Sequence, residues 1–266
     1  TRRLVDVAQD VIINEEDCGD KEGILVSRKI VESYGKRISS RIFGRTLAKP
    51  AGRFKKGHLL SMADAKEIET SGAEDVRVFS PITCQLKKGV CQKCYGYDLG
   101  SSASINLGEA IGIVAAQAIG EPGTQLTLRT FHAGGIATGS DITMGLPRVE
   151  EIFELRIPRN PAVICQDDGE VLEIKETNNE KIVVINAKEY LIPFGRLLVV
   201  KKGNKVEKGD LLTDGAINIK EYFSIANKEK TQDYILNEID KVYTMQGASI
   251  NDKHIEVIIR QMFSNY

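Results

Sequence analysis

Four side chains fall at one helical spacing in GEPGTQLTLRTFHAGG, residues 120–135: Gln125, Leu128, Arg129 and His132 stand at i, i+3, i+4 and i+7, which places them on one stripe of a helix. A core-facing stripe is apolar at that spacing. This one is mostly polar and cationic, which suits a ligand that accepts hydrogen bonds and carries negative charge. The helix that would carry the stripe is marginal by itself. Thr124, Thr127 and Thr130 are β-branched, and the run from Thr124 to His132 is shorter than the roughly 12–15 residues an isolated helix needs. Gly120, Gly123, Gly134 and Gly135 read as hinges at its two ends. The residues therefore predict a segment that folds conditionally, with a ligand tipping a balance of a few kcal/mol.

A second chemistry is carried by cysteine. Cys18, Cys84, Cys91, Cys94 and Cys165 are present, and CQLKKGVCQKCYG spaces three of them as C-x6-C-x2-C. The C-x2-C followed by Gly96 is the turn that lets two thiolates bind one Zn²⁺. Three ligands need a fourth. Cys18, preceded by the acids Glu15 to Asp17 and followed by Gly19, completes a tetrahedral four-cysteine set. Such a closed shell leaves no position for water and is structural. Two alternatives fit less well: disulfides are disfavoured in a chain without a secretory signal, and a redox C-x2-C would leave Cys18 and Cys84 unexplained. Cys165 lies in an apolar strand and reads as core.

Other chemistries lack their residues. There is no GxxxxGK[ST] loop, no Ser-His-Asp order and no clustered Asp triad; Glu15 to Asp17 and Asp167 with Asp168 lack the spacing of a two-metal phosphoryl-transfer site. His254, in the first turn of a helix, suits capping or packing better than catalysis.

The elements that must position these groups can be read from periodicity and caps. TRRLVDVAQDVII follows helical spacing through Leu4, Val7 and Ala8 from its first residues, as though the chain started inside a helix of something larger. Ser61 caps a helix in SMADAKEIETSG that Gly72 stops, and Val76 to Ser80 reads as a strand. Asn106 with Glu109 resembles a capping box for a nearly all-apolar, buried helix through Ile119, which delivers the chain to residues 120–135. Pro147 suits the first turn of another helix, with Val149, Ile152 and Phe153 as packing face and Pro158 as stop. From Pro161 the period becomes strand-like in AVIC, EVLEI, KIVVI and LLVV. KKGNKVEKGDLLTDG sets two glycine turns around a short apolar strand, as barrel-sandwich hybrid domains do. A biotin or lipoyl carrier would need a modifiable Lys at a hairpin tip, with Lys205 and Lys208 as the candidates. Asn218, Thr231 and Asn251 are N-caps of the closing helices, the last with Ile250 and Ile255 as a staple and Ile255, Ile258, Ile259 and Met262 as buried face.

The result is an α+β chain of several modules: 1–15, an opening helix end; 16–107, zinc-binding; 108–158, helical around the stripe; 159–216, β-rich; and 217–266, helical. At 266 residues it is long enough for two or three small cores. Hydrophobic residues make up 42% and charged residues 27%, and no apolar run approaches the roughly 18 residues of a membrane span. A formal net charge of −1 argues against an autonomous nucleic-acid binder. Residues 28–56 nonetheless hold ten Lys or Arg and the single acid Glu32, either a phosphate-binding face or a solvated surface.

GEAIGIVAAQAIGEPGTQLTLRTFHAGG closely resembles the trigger-loop region of the bacterial RNA polymerase β′ subunit, and the similarity extends through almost the whole chain. TRRLVDVAQD resembles the end of the bridge helix, MGLPRVEEIFE the return arm of the trigger loop, and INDKHIEVIIRQM the segment after its β-rich module. Cys18, Cys84, Cys91 and Cys94 match that subunit's second zinc site. The resemblance implies that Gln125 approaches the ribose of the incoming nucleotide, Leu128 packs on its base, and Arg129 and His132 reach the triphosphate. It further implies that the loop, open without substrate, folds against the bridge helix when a matched nucleotide binds, which contributes to fidelity. Arg2 and Arg3 would face template or downstream DNA. The partners implied are the remaining β′ segments, the β, α and ω subunits, a sigma factor, DNA template, RNA and nucleoside triphosphates, in the cytoplasm at the nucleoid and without a membrane. The family's Mg²⁺-binding aspartates are absent, so this chain alone should not polymerise RNA. Only residues 135–145 join the two arms, without the large insertion of some relatives. Two other readings compete: a structural zinc-bearing assembly module of the polymerase, and an unrelated zinc protein that binds nucleic acid, which leaves the stripe unexplained.

Overall fold

The computed structural model describes residues 1–130, 145–177, 180–193 and 195–264, with the backbone alone at 124–130, 177 and 180. Helices and sheets are mixed along the chain, as an α+β sequence requires, in two compact units: Thr1–His132 with Tyr243–Tyr266, and Ala133–Val242.

The first unit opens with helix α1 (Arg2–Ala8) and the short strand β1 (Ile13–Glu15). A small core follows around β2 (Ile24–Ser27), α2 (Arg28–Ser33), α3 (Ile38–Ile42), α4 (Met62–Thr70) and β3 (Asp75–Val78). Antiparallel pairing of β2 with β3 sets Val26 against Val76, and these pack with Ile38, Ile42, Leu47, Leu60 and Ile68. The N-terminus of α4 is fixed as its sequence predicts: Ser61 Oγ accepts from the Asp64 N–H while Asp64 accepts from the Ser61 N–H, and Gly72 turns the chain at φ +78°. Further on come β4 (Val90–Cys91), the single turn α5 (Gln92–Tyr95), and the hairpin of β5 (Tyr97–Asp98) with β6 (Ala103–Ser104).

Helix α6 (Ile111–Thr130) departs from its sequence reading in three ways. It begins at Ile111 without an Asn106–Glu109 box, because backbone carbonyls serve its first turn: Gly112 N–H donates to Val11 O at 2.9 Å and Ile111 N–H to Glu109 O at 3.0 Å. Its burial is one-sided. Ile111, Ala115, Ala116 and Ile119 are buried and Val114 is 41% exposed. And it does not hinge at Gly120: the helix runs on through Gly120, Pro122 and Gly123. Residues 124–130 thus extend an established helix and need no nucleus of their own. Two glycines serve close approach to α1 instead. A Cβ at Gly112 would stand 1.8 Å from Ala8 O, and one at Gly120 would stand 1.9 Å from Thr1 Oγ1.

The second unit starts with α7 (Leu146–Phe153), which has Pro147 in its first turn and Val149 and Ile152 buried. Arg148 is buried beside them and satisfied by Glu151, Glu238, the Tyr234 hydroxyl and Ile217 O. Strands β7 (Gly169–Thr177), β8 (Glu180–Ile185), β9 (Lys188–Ile192) and β10 (Lys205–Val206) form one sheet in the order β10-β7-β8-β9. All its pairings are antiparallel. Its inner face holds Val171, Val183, Ile185, Tyr190 and Ile192 with Cys165 and Leu212. AVIC and LLVV contribute only isolated bridges, Ile164 with Leu211 and Leu198 with Thr213; β9 occupies the polar-flanked KEYLI, whose alternation puts Tyr190 and Ile192 inward. Lys205 lies within β10 opposite Glu170, not at a hairpin tip.

Helix α8 (Ile219–Ile225) is capped by Asn218 as expected. Helix α9 (Lys228–Met245) starts before Thr231: Asn227 Oδ1 accepts from the Lys230 N–H, and the buried Thr231 hydroxyl donates back to Asn227 O. The final helix, α10 (Asp252–Met262), returns to the first unit and packs against α6. Asn251 caps it and Ile250 and Ile255 are both buried. Met262 is only half-buried. The polar side is the surprise, since Asp252, Lys253, His254 and Glu256 are buried along with the isoleucines.

Candidate functional site

Among the described residues, Cys18, Cys84, Cys91 and Cys94 form a cluster whose sulfurs all lie within 4.8 Å of one another. Local chemistry explains how they meet. Parallel pairing of β1 with β4 sets Glu15 beside Cys91, and Lys93 N–H donates to Glu16 O. Around Cys18 the acids shape the turn: Asp17 accepts from the Gly19 N–H, and Asp20 accepts from the Glu22 N–H and the Thr83 hydroxyl. Lys93 clamps the same turn by bonding Asp17 at 2.7 Å, and that bond holds the Asp17 carboxyl below its usual range. Gly96, at φ +82°, lets the chain leave α5 with its Cβ position 2.2 Å from Gly44 O, a space only glycine fits.

The donor set suits a tetrahedral thiophilic ion. Thiolates at about 2.3 Å from such an ion stand roughly 3.8 Å apart, and Cys18 Sγ lies 3.6 Å from Cys94 Sγ. Three sulfurs accept backbone N–H groups at 3.4 Å: Cys18 from Gln85, Cys84 from Cys91, and Cys91 from Cys94. These donors favour thiolates. Crowding opposes them: hydrogen bonds from the Cys91 and Cys94 thiols pull Cys84 down to about 4, while Cys94, bonded to Cys84 and Cys91, is pushed far up. One negative charge is welcome there and four are not, so four thiolates need a cation between them. The cluster can hold a metal ion. Cys165 stands apart from it, buried, with its Sγ donating to Asp167 O.

Gln125, Leu128 and Arg129 lie on the helical backbone of α6; their side chains and all of His132, Gly134 and Gly135 lie outside the described residues. Arg2 and Arg3 are exposed on the first turn of α1. The basic run 28–56 divides on inspection. Arg28 serves the carbonyls of Glu69 and Ala73, Arg41 and Lys36 meet Asp252, Arg45 meets Glu256, and Arg53 meets Glu67. Half of the run is therefore structural.

Sequence reasoning missed the charged side of α10. Glu256, fully buried, takes both Arg45 Nη atoms at 2.6 and 2.8 Å and the Ser80 hydroxyl at 2.8 Å. Lys253 Nζ donates to Gly44 O and Tyr97 O and sits over the Tyr95 ring. Burial, with Arg45 nearby, lowers its pKa to about 7. The only signal in the sequence was the surplus of arginine at 41 and 45.

This architecture defines a class. The family model described as RNA polymerase Rpb1, domain 5, matches residues 1–190 and 166–266, and the chain belongs to that family. Three similar proteins are bacterial subunits. The DNA-directed RNA polymerase subunit beta' of Thermoanaerobacter sp. (strain X514) is 48% identical over 275 residues, that of Oceanobacillus iheyensis 47% over 274, and that of Caldicellulosiruptor saccharolyticus 49% over 278. In each case the match takes in 98% of this chain and 23% of the relative, so the chain spans about a quarter of the length of the relatives it matches. No helix among the described residues is long and apolar enough to cross a membrane.

Proposed function

We propose that this chain serves as part of the β′ subunit of a bacterial DNA-dependent RNA polymerase and supplies the trigger loop that closes on the incoming nucleoside triphosphate. The observation that carries this reading is the identity of nearly half the residues over 98% of the chain with subunits named for that enzyme. Residues 108–158 are the trigger-loop region, entered from the bridge-helix end at 1–15. Gln125 meets the ribose, Leu128 the base, and Arg129 and His132 the triphosphate, where charge develops on the leaving pyrophosphate. Helix α6 agrees with this role in one respect: it carries the backbone of 125, 128 and 129 as a continuation of a helix packed on α1, so closing the loop would lengthen a helix already anchored. Arg2 and Arg3 face DNA. The Mg²⁺ ligands lie in other β′ segments, and the chain by itself is inactive. Its partners are those segments, the β, α and ω subunits, sigma factor and the nucleic acids, in the cytoplasm.

Zn²⁺ is the metal of the four-cysteine cluster, at 16–107, and it is structural: with four thiolates around it no position remains for water. The β-rich residues 159–216 form a barrel-sandwich-hybrid-like module, and 217–266 a helical closing segment.

Single-nucleotide addition by a polymerase reconstituted with this region tests the proposal. Arg129→Ala with His132→Ala is expected to slow addition by about 10²- to 10³-fold, the range for losing a charge-stabilising donor, with the complex still assembled. An unchanged rate would instead favour the assembly-module reading, in which the cysteine cluster and its packed surroundings are the purpose of the chain.

A further inference from the structure

The loop between Cys84 and Cys91 has almost no structure of its own. Six residues separate the two ligands, and only Val90 and Cys91 belong to a strand. Three of its carbonyls, with that of Pro81 just before it, are nevertheless taken by one side chain. Arg260, in the last turn of α10, donates from Nη1 to Cys84 O at 2.6 Å and Pro81 O at 3.2 Å, from Nε to Gly89 O at 3.1 Å, and from Nη2 to Leu86 O. The carbonyls of Pro81, Cys84, Leu86 and Gly89, the last three spanning the loop, converge on a single planar group. A guanidinium can do this because its five N–H donors radiate in one plane; an ammonium cannot span such a set. Asn14 holds the other side by donating to Lys88 O, and Gly89, at φ +68°, leaves no room for a Cβ, which would stand 2.3 Å from Ile12 O.

We infer that Arg260 is a positioning residue for the metal site, and that docking of α10 and metal binding at Cys18, Cys84, Cys91 and Cys94 are coupled through it. This rests on the reading of the cysteines as a metal site. The rest of α10 makes the helix a firm mount: Asp252 on Arg41, Lys253 on Gly44 O and Tyr97 O, and Glu256 on Arg45 and Ser80 all fix it within the same unit. The backbone N–H of Cys91 and that of Gln85 each point at a sulfur of the cluster, so the loop that Arg260 holds also carries two of the donors that favour thiolates. Coupling of this kind is reciprocal: what α10 contributes to metal affinity, the metal returns to α10.

Competition for Zn²⁺ against a chromophoric chelator, with the 266-residue chain, reads the first half. Arg260→Gln and Arg260→Lys are each expected to weaken Zn²⁺ binding by about 10- to 100-fold, the usual effect of losing an outer hydrogen-bond partner of a ligand set. Lys should not rescue, since geometry and not charge is what is lost. Hydrogen exchange on the unsubstituted chain reads the second half and does not depend on any variant folding. Stripping Zn²⁺ should speed exchange of the 257–262 amides, and restoring it should slow them again. Full affinity in both variants, or α10 amides indifferent to Zn²⁺, overturns the inference while leaving the metal reading intact; failure of the unsubstituted chain to bind Zn²⁺ overturns both.

Discussion

Helices α6 and α10 pack against each other in one unit, and each sits in an environment its own sequence does not announce. The first is nearly all apolar from Ile111 to Ile119, yet it leaves Val114 exposed and gives up side chains altogether at Gly112 and Gly120 to bring α1 close. The second alternates acids, bases and isoleucines like a surface helix, yet from Asp252 to Ile259 every residue is buried. Apolar burial is non-directional and can be spared at one position. Buried charge is directional and must be matched atom by atom, so α10 is specified by residues far away in sequence: Arg41, Arg45, Ser80 and the carbonyls of Gly44 and Tyr97. One helix is placed by what it omits, the other by what others supply.

Removing one member of a matched pair should therefore produce the largest effect. Glu256→Ala leaves Arg45, only 2% exposed, without its carboxylate. An uncompensated buried charge of this kind costs about 3–5 kcal/mol, measurable as a shift in the urea midpoint of the metal-loaded chain. Replacing both partners, Arg45→Met with Glu256→Leu, should recover most of the loss, because a packed apolar pair avoids the desolvation of two ions. A loss below about 1 kcal/mol for the single substitution would mean that water reaches the pair and that the contrast between the two helices is wrong.

The next effect is read with pH. His254 is buried, its Nδ1 has no hydrogen-bond partner, and burial, with the Lys253 charge beside it, pulls its pKa from 6.5 to about 4. Between those values the folded chain holds the ring neutral while the unfolded chain binds a proton. The contribution is thus complete above about pH 6.5 and is lost as pH falls through 4, on the order of 3 kcal/mol in all. Asp252 works in the same direction at lower pH: although burial pushes its carboxyl up, Arg41 and Lys36 hold it below the ordinary range. His254→Leu should flatten the difference between the urea midpoints at pH 6.5 and pH 4.5 relative to the unsubstituted chain. Equal slopes for the two chains would show that the ring is solvated and plays no part in fixing α10.

How far the sequence could be read follows from the same distinction. Features with a local cause were legible. Ser61, Asn218 and Asn251 bond N–H groups two or three residues on, Pro147 opens α7, and the C-x2-C turn brings Cys91 to Cys94 by itself. Even Cys18 was found, because a three-cysteine set requires a fourth. What failed had non-local causes. The start of α6 is satisfied by Val11 O rather than by its own Asn106, and the helix runs on past Gly120, which lies against Thr1. The cap of α9 is Asn227, four residues before the expected Thr231, which is buried and bonds back to it. Half of the basic run at 28–56 proved to be the counter-charge for α4, α10 and nearby carbonyls, a use that cannot be told from phosphate binding until the partners are placed.

The smallest effect tests the other helix and turns on sign. A glycine inside a helix ordinarily costs about 0.5–1 kcal/mol relative to alanine, so Gly→Ala should stabilise wherever there is room. Gly112 has none: the new Cβ would lie 1.8 Å from Ala8 O and 2.8 Å from its carbonyl carbon, both backbone atoms that move only if α1 moves. Overpacking of about 1–3 kcal/mol then exceeds the propensity gain, and Gly112→Ala is expected to destabilise by roughly 1 kcal/mol. At Gly120 the obstructing atoms are the Oγ1, Cβ and Cγ2 of Thr1, which are side-chain and not main-chain atoms. Gly120→Ala should accordingly cost less than Gly112→Ala in the same thermal melt, and Thr1→Gly combined with it should bring out the stabilisation that alanine normally confers. The reverse order would mean that α6 is held at its far end rather than at Gly112, and that the approach of α1 to Gly120 fixes the helix from which residues 124–130 extend.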